Sequence, residues 1–321
     1  MGLTISFSDL SAFKATREGY GDALMELGLA RDDVVVLDGD LSKSTGSWRF
    51  GSEYPSRFIN CGIAEQSMMG TAAGLAASGK VCYTGSFAIF ATGRAFEQIR
   101  NTISYCDLDV KICPTHSGVT VGEDGGSHQS IEDIALMRSI PNMKVLVPAD
   151  YFEAREMVKS SASLAGPVYI RLGRPKIPKI YNDDHVFRFQ RADVLRTGDD
   201  ITILAIGIMV SESLRAANDL SEKGIEAEVI NVSTLKPLDE ETILRSVGKT
   251  GFVLTAEEHS VIGGLGGAVC ELLGEKMPTK LVRVGVKDRF GTSGKPDELM
   301  VHFNLTSTDI CEAAEQLISS Q

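Results

Sequence analysis

The densest chemistry in this chain lies in Thr115-His116-Ser117-Gly118-Val119-Thr120-Val121-Gly122-Glu123-Asp124-Gly125-Gly126-Ser127-His128-Gln129-Ser130, where two imidazoles and two carboxylates are set among glycines. Imidazole titrates near neutral pH, carboxylates accept from hydroxyls, and glycine lets the backbone approach a ligand closely. The segment follows a predicted strand, Asp109-Val110-Lys111-Ile112-Cys113, so it leaves the carboxyl end of a sheet, where open α/β folds bind ligands. A solvated, glycine-rich connection is the plainer reading of the same residues. A second candidate is Asn60-Cys61-Gly62-Ile63-Ala64-Glu65-Gln66. Glu65 falls in the first turn of a helix pattern, either to favour helix initiation through the dipole or, among small apolar neighbours, as a desolvated carboxyl suited to proton donation. A third is Gly85-Ser86-Phe87-Ala88-Ile89-Phe90, two aromatics that could pack in a core or stack on a ligand. Asp40, Arg17 and Arg174 complete the polar landmarks, each equally readable as a turn acid or a surface cation.

These residues need a scaffold, and the pattern supplies one. Short β-rich runs at 34–37, 80–83, 109–113, 144–147 and 168–171 alternate with helix patterns near 13–29, 64–78, 91–105, 130–139 and 150–164. This alternation is the signature of a mostly parallel sheet covered on both faces. From 173 to 199 the sequence turns polar and weakly periodic after Gly173-Arg174-Pro175, which predicts a linker with a boundary near 185. A second α/β set follows, with strands at 201–207, 227–230, 251–255 and 280–284. The fold class expected is two doubly wound α/β domains, over 1–180 and 190–321. Gly263-Gly264-Leu265-Gly266-Gly267 lacks the G-x-G-x-x-G register, and no G-x-x-x-x-G-K-[ST] occurs, so dinucleotide and P-loop readings lose support. A helix cap or a partner contact remains open for that string.

Composition narrows the function classes. With 321 residues, 43% hydrophobic and 23% charged, the chain has globular usage and length for about two domains. The net charge of -11 and the lack of a basic run argue against nucleic acid as a partner. No run of about 18 apolar residues is present, which excludes a membrane helix. Six cysteines without a C-x-x-C pair or a His at ligand spacing read as small core residues in a reducing, cytoplasmic setting, with no metal site of this chain's own. Gly2 fits only the first part of a myristoylation pattern.

Taken in order, Gly62-Ile63-Ala64-Glu65-Gln66, Gly85-x-Phe87-x-x-Phe90, and His116 through Gly122-Glu123-Asp124-Gly125-x-x-His128-Gln129 resemble the transketolase family. Arg138-Ser139-Ile140-Pro141-Asn142, Val147-Pro148-Ala149-Asp150 and Glu257-Glu258-His259 with Gly263-Gly264-Leu265-Gly266 extend the resemblance over nearly the whole chain. The family's Gly-Asp-Gly motif with a downstream Asn, which holds the diphosphate and Mg²⁺ of thiamine diphosphate, has no counterpart here, since Asp38-Gly39-Asp40 is the reverse pattern. The resemblance therefore implies the pyrimidine-binding and C-terminal half of a split transketolase. Its partner would be a chain carrying the diphosphate motif, in an α2β2 assembly that moves a two-carbon ketol unit between sugar phosphates. Breaking a carbon–carbon bond beside a carbonyl leaves a carbanion equivalent, for which the cofactor rather than any side chain provides the electron sink.

By the same resemblance, Glu65 would hydrogen-bond the pyrimidine ring nitrogen, Phe87 and Phe90 would form its apolar wall, and Ile63 and Asp40 would belong to the cofactor pocket. His128 and Asp124 would contact donor hydroxyls, and His116, Arg17, Ser44 and Arg174 would lie toward the phosphate. Arginine suits that task through its fixed fork of donors. Departures from the family pattern are Gln66 in place of His, Gly93 where a third aromatic is expected, and Gly126-Ser127 in place of Pro-Thr. Pentose-phosphate sugars are the default substrates, with a specialised ketose phosphate as the variant. The alternatives from related classes are the β-subunit of a 2-oxo acid dehydrogenase, a deoxyxylulose-phosphate-synthase-like enzyme, and a non-catalytic paralogue.

Overall fold

A computed structural model describes residues 12–320; Gly2 lies outside them. Valine-rich runs with no polar alternation form strands buried on both faces, as in Val34–Asp38 and Val81–Gly85. They assemble a seven-stranded sheet in the spatial order Thr234–Lys236, Lys144–Leu146, Val168–Ile170, Val110–Ile112, Val81–Gly85, Val34–Asp38, Phe58–Asn60. All neighbours are parallel except the first pair, which is antiparallel. A five-stranded sheet follows the order Lys280–Val286, Phe252–Ser260, Ile201–Ala205, Ala227–Asn231, Asp193–Arg196, parallel but for the last strand.

Three features differ from the expected outline. The span 173–199 contains two strands: Lys176–Pro178 pairs antiparallel with Phe13–Ala15, and Asp193–Arg196 edges the second sheet. Both are three or four residues long and follow Pro/Gly or polar stretches, too short for a periodicity to declare them. The helix expected over 91–105 is instead two wide π-type turns, Phe90–Arg94 and Gln98–Ser104. Such turns insert a residue into the helical register, frequently beside functional sites. Finally, Cys106 and Cys270 are exposed, while Cys82, Cys113 and Cys311 are buried as core residues.

The two sheets share apolar packing. Ile134, Met137 and Val147 lie in one buried cluster with Leu204, Val232 and Leu265. Thr234–Lys236 leaves the second set of elements to pair with Lys144–Leu146 of the first sheet, and Lys236 Nζ donates to the carbonyls of Arg138 and Ile140. The junction thus packs the second set of elements against one edge of the first sheet.

Candidate active site

Glu65 is the first residue of the helix Glu65–Ala77 and is only 1% exposed. Its carboxylate is favoured there by the helix dipole. Its Oε2 accepts from Arg94 Nη1 at 2.9 Å, and the Arg94 guanidinium lies 4.7 Å from the Phe90 ring centroid. The expected proton-handling carboxyl is therefore buried, as its small neighbours Gly62, Ala64 and Gly70 allow, but it has a cationic partner that spacing did not reveal. Arg94, four residues after Phe90, lies beside both Phe90 and Glu65.

Phe87 and Phe90 follow the strand Val81–Gly85, with near-parallel rings 6.1 Å apart. His116 stacks on Phe87 at 3.9 Å, and His128 meets Phe90 edge-on at 5.2 Å. Two aromatics and two imidazoles distant in sequence thus form one cluster at the carboxyl end of the sheet. Backbone at His116 is left-handed (φ 60°), a conformation that a non-glycine residue adopts only when its surroundings impose it. The imidazole Nδ1 is 2.8 Å from Thr115 Oγ1. Burial, reinforced by the charges of Arg17 and Arg174, pushes the His116 pKa down to about 3, so its ring is neutral near pH 7.

The loop that joins the histidines is closed on itself: Gly118 N donates to Ser130 O and His128 N to Gly125 O. Asp124 is exposed, and no hydrogen bond links its side chain to the other candidates among the described residues. Arg174 Nη1 donates to Val121 O and lies 3.3 Å from Glu123, so a carboxylate of the loop partly neutralises it.

Asp38, the last residue of the strand Val34–Asp38, builds the adjoining loop. It is fully buried and accepts from Leu41 N, Thr45 Oγ1 and Ser47 Oγ. Burial raises its pKa, while those three donors oppose the rise. Asp40 is exposed at φ 66° and accepts from Asn60 Nδ2 at 2.9 Å. Arg17, at the start of the helix Thr16–Ala30, donates to the Ser44 carbonyl at 2.8 Å. Arg17 and Ser44 share a cleft of about 460 Å³ with Lys14, Lys43, Arg49 and Lys176 and with the acids Glu18 and Asp22; Asp22 pairs with Lys14 and Arg49, and the recess keeps a net positive charge. Ile63 is 80% exposed, an apolar residue at the entrance to the Glu65 helix.

Sequence reasoning missed the supports beneath the loop. Arg171 is buried and donates to both Asp133 oxygens and to the carbonyls of Ser130 and Glu258. Its place directly after the apolar strand Val168–Ile170 was the available signal, because a cation in that setting needs a partner. The Gly263–Gly267 string has a structural explanation: the helix Leu265–Lys276 starts there, and its Leu265 and Gly266 amides donate to buried Glu257. A Cβ on Gly264 would fall 1.9 Å from the Glu257 carboxylate.

A doubly wound pair of sheets with a buried carboxylate and an aromatic–imidazole cluster at the strand ends defines a mixed α/β protein with its candidate site at the carboxyl end of the first sheet. Residues 13–179 match the model of the transketolase pyrimidine-binding domain, and residues 190–310 that of the transketolase C-terminal domain. The chain belongs to the transketolase family. It is 48% identical to a chain of Methanocaldococcus jannaschii named as a transketolase C-terminal section, over 94% of this chain and 95% of that one. It is 46% identical, over 94% of each chain, to the 6-deoxy-6-sulfo-D-fructose transketolase subunit of a Clostridium species. One of the subunits of the apulose-4-phosphate transketolase of Phocaeicola vulgatus is 37% identical, over 95% of this chain and 97% of that one. A solved split-gene transketolase, described as an inactive β4 tetramer, superposes with a TM-score of 0.88 at 49% identity, over 96% of this chain and 99% of that one.

Proposed function

We propose that this chain works as the pyrimidine-binding and C-terminal subunit of a two-chain transketolase. In this reading residues 1–180 and 190–321 are its two domains, and the linker region 173–199 takes in their facing ends. The reaction is transfer of a two-carbon ketol unit from a ketose phosphate to an aldose, in the cytoplasm, by an α2β2 assembly. The observation that carries the reading is the convergence of Glu65, Phe87, Phe90, His116 and His128 on one end of the first sheet. The residues fit the pyrimidine half of thiamine diphosphate: a buried carboxylate for a ring nitrogen and an apolar aromatic wall for the ring. They supply no Gly-Asp-Gly motif for its diphosphate and Mg²⁺, which are therefore assigned to the partner chain.

Bound thiamine diphosphate would supply the electron sink for carbon–carbon cleavage. Glu65 would then orient the aminopyrimidine and hold a proton at its ring nitrogen, exchanging its Arg94 contact for that hydrogen bond. Half-buried His128 and exposed Asp124 would face the donor hydroxyls. Neutral His116 would donate a hydrogen bond toward the anionic end, with Arg17 and Arg174 near it and Ser44 beside Arg17. Two relatives carry names for ketoses bearing a sulfonate or a phosphate, which supports a donor with an anionic terminus.

The test is purification of the native complex, identification of the co-eluting chain, and assay of ketol transfer with Glu65→Gln. Loss of transfer with intact assembly is the expected result. Unchanged activity in the variant, or a wild-type complex that takes up no thiamine diphosphate, overturns the reading.

A further inference from the structure

We infer that Glu258, on the second sheet, is a positioning residue for the His116 loop, an inference that rests on the proposed role of that loop. Glu258 lies in the strand Phe252–Ser260 and is 5% exposed. Its Oε1 accepts from the Thr120 backbone amide at 2.6 Å, across a sequence separation of 138. Thr120 is in the short 3₁₀ turn Val119–Val121, whose amides have no partner within the turn, so the carboxylate satisfies a buried donor that would otherwise be orphaned. The same carboxylate rests on Gly118: a Cβ there would fall 2.3 Å from its carbon, and Gly118 has φ 78°. Gly118 is two residues from His116.

The strand end is itself anchored. Arg171 donates to the Glu258 carbonyl at 3.0 Å and to the Ser130 carbonyl at 3.2 Å, and Gly118 N donates to that same Ser130 carbonyl. One end of the loop, at Ser130, and the strand that carries Glu258 thus share one guanidinium. Burial raises the Glu258 pKa, opposed by the Arg171 charge, and a neutral acceptor oxygen at this position would serve the Thr120 amide as well. Glutamine should therefore replace Glu258, whereas an apolar residue should release the loop. Glu258 makes no hydrogen bond to Glu65, which stays on its own helix, while the anionic end of the substrate loses its fixed contact and the His116 ring its fixed stack on Phe87.

The experiment compares Glu258→Leu and Glu258→Gln in the native complex, with Gly28→Ala as a purely structural control, since a Cβ there would fall 2.2 Å from the Tyr54 ring. Expected for Glu258→Leu is about a tenfold rise in KM for the phosphorylated donor, the size of one lost hydrogen bond, with a smaller change in kcat. Amide hydrogen exchange over residues 115–121 should accelerate, and Glu258→Gln should restore both properties. Unchanged exchange or unchanged KM in Glu258→Leu overturns the inference, as does an equal KM rise in Gly28→Ala or a failure of Gln to rescue. The exchange measurement needs no turnover. A wild-type complex without ketol transfer therefore refutes the proposed function, whereas a normal loop in Glu258→Leu refutes this inference alone.

Discussion

Replacing Asp133 with Asn removes one charge from the support of the site while keeping its shape. Asp133 is fully buried, accepts from Arg171 Nε at 2.7 Å and Nη2 at 3.2 Å, and receives the Tyr169 hydroxyl. The substitution strands the buried guanidinium, and breaking such a pair from one side costs about 3–5 kcal/mol. At about 2.1 cal/mol/K of unfolding entropy per residue, 321 residues give roughly 1.5 °C per kcal/mol, so the melting temperature should fall by about 4–8 °C. Burial would raise the Asp133 pKa, but the charges of Arg171 and His259 overcome it and hold the carboxyl below its usual range. A carboxyl with a depressed folded pKa contributes stability above its unfolded pKa, about 3.9, and that contribution disappears as pH falls through the folded value. The acid limb of stability against pH should therefore flatten in Asp133→Asn. Thermal and urea unfolding of wild type, Asp133→Asn, Arg171→Met and the double variant give the cycle. The double variant should lose far less than the sum, because removing both charges leaves neither uncompensated. A single variant within about 1 kcal/mol of wild type, or strict additivity, would refute the reasoning.

Other predictions address the site and its surroundings. His116 is held neutral down to about pH 3, whereas its unfolded form takes up a proton below about pH 6.5. Stability should thus decline as pH falls through 6.5, and His116→Asn should remove that component; an imidazolium NMR signal for His116 at pH 6 would contradict it. Arg174→Ala should raise KM for phosphorylated sugars several-fold and leave non-phosphorylated acceptors unchanged, an assignment that equal effects on both would remove. Native thiol titration of the isolated chain should find Cys106 and Cys270 fast, with Cys82, Cys113 and Cys311 slow until unfolding. Burial pushes the Cys82 pKa up to about 12, suppressing its thiolate, so rapid modification there would disprove the packing described.

The strands were legible because buried parallel strands need continuous apolar runs, and Val34–Asp38, Val81–Gly85 and Ile201–Ala205 carry them. The residue types at Glu65, Phe87, Phe90, His116 and His128, and their ordered motifs, were legible as well. Lys176–Pro178 and Asp193–Arg196 were not, since edge pairs of three or four residues leave no period to read. The cross-sheet return of Thr234–Lys236 was equally hidden, because pairing partners far apart in sequence have no local signature.

What the sequence determined by itself is chemical: which side chains exist, which faces are apolar, and which motifs stand in which order. Tertiary structure alone decided that Arg94 donates to Glu65, that His116 is stacked, buried and uncharged, and that Glu258 braces a loop 138 residues away. The physical reason is that charge state and orientation depend on burial and on neighbours within a few ångströms. Long-range folding sets both, and one-dimensional spacing does not encode them.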